Sequence, residues 1–274
     1  MEGGPRLRSL PGGAVTVVGR FLSSKGGRYL AVLAALTSLS SSCSGSRDDV
    51  TKECLIPNDQ KGTIGGRWTV KPVPLAVIVN DFSAVEMNEL RAAIGTWNSF
   101  FSASKGFKLF VASGAPLSSV PAGTPKIRTN EACSVSSFVT ASGFVQPILI
   151  EKIVSGWTHG GSVIAQTGTC PNTVQGQPYR VFSTGVIEMN FENYFAPGLP
   201  RPDLQSVILH ELGHLLGLGH TCEAQAQKNF LACAEAPKEY LQAVMFPSLG
   251  FDGNTGRIKR SLQQNDQQRA NCLY

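Results

Sequence analysis

Residues 203–220 read DLQSVILHELGHLLGLGH, and the spacing of the histidines in this stretch decides how the rest of the chain is read. On a helix, His210 and His214 lie four residues apart, so both imidazoles project from one side at a separation suited to a single zinc ion. Glu211 sits about 100° round from His210, where its carboxylate reaches a water at the metal without being a ligand. Gly217 is placed to end the helix in a left-handed turn, which tolerates no Cβ easily. The chain can then fold back and bring in His220 as a third ligand. Three neutral imidazoles leave the fourth tetrahedral position open to water, the arrangement of a catalytic rather than a structural zinc site. Zinc lowers the pKa of such a water to about 7, and a carboxylate beside it can take the proton and later pass it to a leaving amine. An ordinary core helix carries two histidines four apart often enough. Five fixed positions together (His210, Glu211, His214, Gly217, His220) arise by chance on the order of once in ten thousand chains of this length.

The chain has 274 residues, 42% hydrophobic and 16% charged, enough to bury a full core as one domain or two small ones. Its formal charge of +5 is unevenly placed. Before residue 43, Arg6, Arg8, Arg20, Lys25 and Arg28 face only Glu2, whereas from Cys43 onward 19 basic residues face 18 acidic ones. The folded part is therefore nearly neutral. Without a basic patch or stripe, nucleic acid is excluded as a partner.

Residues 29–39 (YLAVLAALTSL) form an apolar run of 11 residues, preceded by Arg20, Lys25 and Arg28 and followed by Ser40, Ser41 and Ser42. This is the order of a secretory signal, and the run is shorter than the roughly 20 residues that a membrane span needs. Cys43 ends the leader, and the segment resembles a bacterial lipoprotein signal, although Ser40 stands where leucine is usual. Membrane attachment through a lipidated Cys43 is the expectation, with secretion as the alternative. Setting Cys43 aside leaves six cysteines, an even set that suits three disulfides in an exported protein. Cys222 with Cys233 is the first expected pair, since the two bracket one short loop; Cys54 is expected to be bonded too, with Cys272 as its candidate partner. The expected organisation is a leader over 1–42, a tether over 43–66 and a catalytic domain over 67–274.

Within that domain, residues 68–79 read as a strand whose two prolines confine it to an edge or to its early part. Ser83 with Glu86 forms a capping-box pattern, and Met87, Leu90, Ile94, Trp97 and Phe101 then recur at helical spacing. Strands are expected over 107–111, 148–153, 162–165 and 186–190, with Gly-, Ser- and Pro-rich connections over 113–124 and 167–178. A second capping-box pattern, Ser261 with Gln264, opens a last helix reaching about Cys272. Strands followed by helices indicate one α+β domain.

The motif HELGHLLGLGH resembles that of the metzincin zinc proteases, HExxHxxGxxH followed by a methionine turn. Val244-Met245-Phe246-Pro247 supplies a candidate turn, with Met245 the only methionine after the motif. Its wording is most similar to the matrixin branch. The resemblance implies a twisted, mostly parallel sheet with an antiparallel edge strand and three helices, a zinc ion at the floor of a cleft, and an extended substrate pairing with the edge strand, for which residues 162–166 are the candidate. It also implies that Met245 shapes the floor of the site. Two departures stand out. Thr221 follows the third histidine where matrixins usually have serine, as in the pappalysin branch. Vertebrate matrixins also hold a second zinc and calcium, for which this chain offers only His159, read as a loop or surface histidine; calcium finds no support. The expectation is a monomeric zinc endopeptidase acting on proteins or peptides, with His210, His214 and His220 on the metal and Glu211 as general base and then acid. A non-catalytic surface module that holds a protein or peptide, or a zinc amidase acting on another amide, are the alternatives.

Overall fold

The computed structural model describes residues 56–110, 118–124, 126–133, 148–177, 179–227 and 229–274, together with the backbone of residues 15–16, which pairs antiparallel with Ser248–Leu249. The remainder of the leader, Cys43 and Cys54 lie outside the described residues, and with them the export signal, the lipid attachment and the expected Cys54–Cys272 pairing. Cys272 is itself disulfide-bonded.

The fold is mixed α/β, built on five strands: β1 (Leu75–Ile78), β2 (Ser118–Val120), β3 (Ile148–Ile153), β4 (Ala165–Asn172) and β5 (Val181–Asn190). Their spatial order is β2-β1-β3-β5-β4. β1, β2, β3 and β5 run parallel, and β4 closes one edge antiparallel to β5. The coarse sheet expected from the sequence is therefore present. Three helices of ten residues or more are described, α1 (Ala84–Lys105), α2 (Leu204–Leu216) and α4 (Gln264–Leu273), with one short helix, α3 (Lys238–Gln242), that the sequence did not suggest.

Helix α1 forms as read. Ser83 Oγ accepts from Glu86 N–H while the Glu86 carboxylate accepts from Ser83 N–H, so two amides that the first turn leaves unpaired are satisfied. Leu90, Ile94, Trp97 and Phe101 are buried on one face, and Met87 is partly buried against them. Trp97 joins α1 to α2: it is fully buried, and its indole N–H donates to Leu209 O at 2.9 Å.

Several expectations are corrected. β1 is only four residues long, because Pro72 and Pro74 cannot donate to a ladder. Residues 107–110 form no strand; Phe110 makes a single bridge to Val73. β2 falls inside a stretch read as a connection, and β5 begins at Val181 rather than 186. The edge strand starts at Ala165, not Ser162, and runs to Asn172 through the supposed loop. Gly168 belongs to the strand because a Cβ there would lie 2.7 Å from Thr129 O on the sheet face away from α2. The last helix is capped two residues later than expected: Gln263 N–H donates to Asp266, not Ser261 to a partner at Gln264.

Two disulfides are present among the described residues, Cys133–Cys170 and the expected Cys222–Cys233. They suit an oxidising compartment. No described helix is long and apolar enough to cross a membrane.

Candidate metal centre

Every residue of α2 from Ser206 to Leu216 is buried, so this helix is enclosed by the sheet, by α1 and by the C-terminal segments. Asp203 caps it, accepting from Ser206 N–H at 3.0 Å, and is itself clamped by Arg260. The helix stops at Gly217, whose φ of 118° and close approach to Gly66 O both exclude a side chain. Trp68 and Tyr274 close the end: Trp68 Nε1–H donates to Leu215 O at 2.7 Å and the Tyr274 hydroxyl to Leu216 O at 2.9 Å.

This helix and the turn after it bring His210, His214 and His220 together. One nitrogen from each lies within 4.8 Å of the other two, and all three side chains are buried. Ring centroids are 4.6 Å apart for His210 and His214, 4.8 Å for His214 and His220, and 5.3 Å for His210 and His220. His210 Nδ1 lies 2.7 Å from Val244 O, and His214 Nδ1 2.7 Å from Leu218 O. A carbonyl only accepts, so the ring proton sits on Nδ1 and Nε2 carries a lone pair. Burial first, and then neighbouring histidines, push both rings well below the ordinary imidazole range, which keeps them neutral. The Nε2 atoms of His210 and His220 are buried and have no hydrogen-bond partner. Such orphaned nitrogens, converging in a three-imidazole set, fit a divalent zinc ion.

Glu211 is fully buried beside them. Burial raises its carboxyl to about 8, against the opposing hydrogen bond from Thr167. The Thr167 hydroxyl reaches Glu211 Oε2 at 2.5 Å, while Oε1 has no partner.

Met245 is completely buried and lies beneath α2 at Gly213. Its turn is held by Asp266, whose two oxygens accept from Val244 N–H at 2.9 Å and Met245 N–H at 3.1 Å. Val244 O is the acceptor for His210, so a chain of hydrogen bonds runs from α4 through the turn to the first histidine.

The backbone that carries His220 has supports the sequence did not reveal. Residues 58–66, within the stretch read as a tether, dock here: Thr63 O accepts from Gly219 N–H at 2.5 Å, and Gln60 Nε2 donates to Thr221 O at 2.9 Å. Arg269 is fully buried and donates to Gly219 O, Thr63 Oγ1 and Asn265 Oδ1. Burial pushes its guanidinium down to about 10, so it stays charged. Only the unusual burial of Gln60, Thr63 and Arg269 marks them, and no local sequence pattern announces that. The Glu223 carboxylate lies 3.7 Å from His220 Nδ1.

His159 stands apart from the triad. Its Nε2 is 2.8 Å from Glu188 Oε2, inside a cluster with Arg128 and Thr129, so it is a loop histidine tied to a buried carboxylate. Among the described residues, no other group of three or more His, Cys, Asp or Glu side chains is close enough to hold an ion. A cavity of about 260 Å³ adjoins the centre, bounded by His220, Ile64, Arg180, Glu223 and Phe230. A larger one, about 390 Å³, lies at the start of α2 by Asp203 and Arg260 and contains none of the three histidines. Of the three histidines, His220 alone lines the smaller cavity.

No protein-family model matches this chain, and no curated protein matches it.

Proposed function

We propose that the protein is a zinc-dependent endopeptidase of metzincin, matrixin-like type, exported and attached to a membrane through Cys43 or secreted. The observation that carries this reading is the convergence of three buried imidazoles, two of them with orphaned Nε2 atoms, next to a buried glutamate on the same helix, Glu211, one of whose oxygens has no partner. A bound zinc ion would polarise both a water and the scissile carbonyl. The chain's own residues supply the rest. The charge of a bound zinc ion would favour the carboxylate form of Glu211 against the effect of burial, and that carboxylate takes a proton from the attacking water and returns it to the leaving amine nitrogen. Met245 and Asp266 fix the turn that aims His210. Among the described residues β4 pairs with β5 on one side only, and an extended peptide could pair along its other edge. A module that merely held a peptide would have no use for a buried carboxylate with an open oxygen beside the histidines.

The test is cleavage of unfolded casein and of a peptide library by zinc-loaded protein. Wild type is expected to cut both, and Glu211→Ala to retain zinc while losing at least about 100-fold in rate. A chelator is expected to abolish cleavage and zinc to restore it. Zinc-loaded wild type that leaves both substrates whole would remove the peptidase reading.

A further inference from the structure

Thr167 lies on the edge strand β4, and its side chain crosses to α2. It is 2% exposed, with Oγ1 at 2.5 Å from Glu211 Oε2 and 3.2 Å from the main-chain O of Glu211. Threonine carries one hydroxyl proton and has a stiff χ1, so in this enclosure the hydroxyl has few other places to point. The two carboxylate oxygens of Glu211 are therefore unlike. Oε2 is engaged by a hydroxyl, whereas Oε1 is buried with no partner. Without Thr167 the carboxylate could turn about its last bond and present either oxygen, or an intermediate angle, to the reacting atoms.

We propose that Thr167 is a positioning residue for the hydrolysis: its hydroxyl fixes Glu211 Oε2 and thereby makes Oε1 the oxygen that carries the proton. The inference rests on the peptidase reading above. Oε1 removes a proton from water as the water oxygen bonds to the carbonyl carbon. It then delivers that proton to the amine nitrogen as the carbon–nitrogen bond breaks. Oε2 accepts from Thr167 in both halves, since the unprotonated oxygen of a carboxylic acid is still an acceptor. The carboxyl group thus keeps one orientation while it changes charge, and orientation held through the reaction is a substantial part of what a general base contributes.

The register of β4 makes this arrangement available. Thr167 stands opposite Ile187 with its side chain toward α2, and Gly168 turns its α-carbon hydrogen toward Thr129 on the other face. A slip of one residue would send the hydroxyl to the wrong face. The tight Gly168–Thr129 approach and the Cys133–Cys170 bridge both oppose such a slip.

The experiment compares Thr167→Val, which keeps the shape and lacks the hydroxyl, with Thr167→Ser, which keeps the hydroxyl. In Thr167→Val, kcat is expected to fall about 10- to 100-fold with KM and zinc content unchanged. Thr167→Ser is expected to recover to within about threefold of wild type, as retention of the donor predicts. A readout independent of turnover is the hydroxyl proton of Thr167 in the metal-free protein, expected as an exchange-protected NMR signal that disappears in Glu211→Ala. Equal rates for wild type and Thr167→Val, equal losses in the valine and serine variants, or no protected hydroxyl proton would overturn the inference while leaving an active wild type as a peptidase. An inactive zinc-loaded wild type would instead remove the peptidase reading and this inference with it.

Discussion

Met245 fills the space directly beneath Gly213, so closely that a methyl group built on Gly213 would collide with Met245 Sδ. Gly213 precedes His214 in α2, and the turn at Met245 is bonded to His210 through Val244 O. The methionine is thus fitted against α2 at the residue before His214, with no room left over.

Gly213→Ala is expected to cost about 1–3 kcal/mol despite the better helix propensity of alanine, because Met245 is buried and has to move. The double variant Gly213→Ala/Met245→Ala should lose less than the two single variants together, since the shorter side chain removes the collision. Urea unfolding of the four proteins measures this. Additive losses would mean that the two residues do not press on each other.

Asp266 is buried and accepts three amide hydrogens, from Val244, Met245 and Gln263. Removing it strands two amides of the methionine turn and one at the start of α4. Asp266→Ala is expected to lose about 3 kcal/mol or more in stability, as unsatisfied buried donors cost about 1–3 kcal/mol each. It should also weaken zinc binding, by about 10- to 100-fold, because Val244 O orients His210. Competition with a zinc-binding dye gives the affinity, and a stable variant with wild-type affinity would dissociate the turn from the metal centre.

The Cys222–Cys233 bridge closes a loop with a sequence separation of 11 beside His220. Glu223 N–H donates to Leu231 O and Cys233 N–H to Glu223 O, so the bridge and a short ladder hold Glu223 at its place near His220. Replacing both cysteines by alanine is expected to cost about 2–3 kcal/mol from loop closure. Zinc affinity should fall as well, since the Glu223 carboxylate is 3.7 Å from His220 Nδ1. Unfolding in urea and dye competition again separate the two effects.

What the sequence disclosed and what it hid follow one physical division. Local rules exposed Ser83 with Glu86, the buried face of α1, the stop at Gly217 and the spacing of the three histidines, because each depends on residues a few positions apart. The supports of the site were hidden because they join distant segments: Asp266 to Val244, Arg269 to Gly219, and Gln60 to Thr221. The edge strand was misplaced for a related reason. Gly168 looks like a loop residue in sequence, yet in the fold it admits Thr129. Likewise His159 reads as a loop histidine, and only register brings Glu188 beneath it.

Glu151 and Glu188 are direct partners on the adjacent parallel strands β3 and β5, and both are fully buried. Glu188 is well paired: it meets Arg128 Nε at 2.7 Å, His159 Nε2 at 2.8 Å and Thr129 N–H at 2.9 Å, and these hold its carboxyl below the usual range against the effect of burial. Glu151 accepts only from Ile127 N–H, at Oε1, and its Oε2 has no partner. Burial, and then the charge of Glu188, raise it from an ordinary 4.5 to about 7. Between those two values the native protein holds a proton that the unfolded chain releases, so stability falls as pH rises through that window and is level above it. Glu188 acts in the opposite sense: its contribution is complete above its ordinary value and is lost as pH falls through its depressed native value. Glu151→Gln carries no charge, can still accept from Ile127 N–H and can offer its amide to Glu188. It is therefore expected to exceed wild type in stability at pH 8 by up to about 3 kcal/mol, with the difference shrinking toward zero near pH 4.5. Urea midpoints measured across that range decide the matter, and a glutamine variant no more stable than wild type at pH 8 would show that Glu151 bears no unfavourable charge in the folded protein.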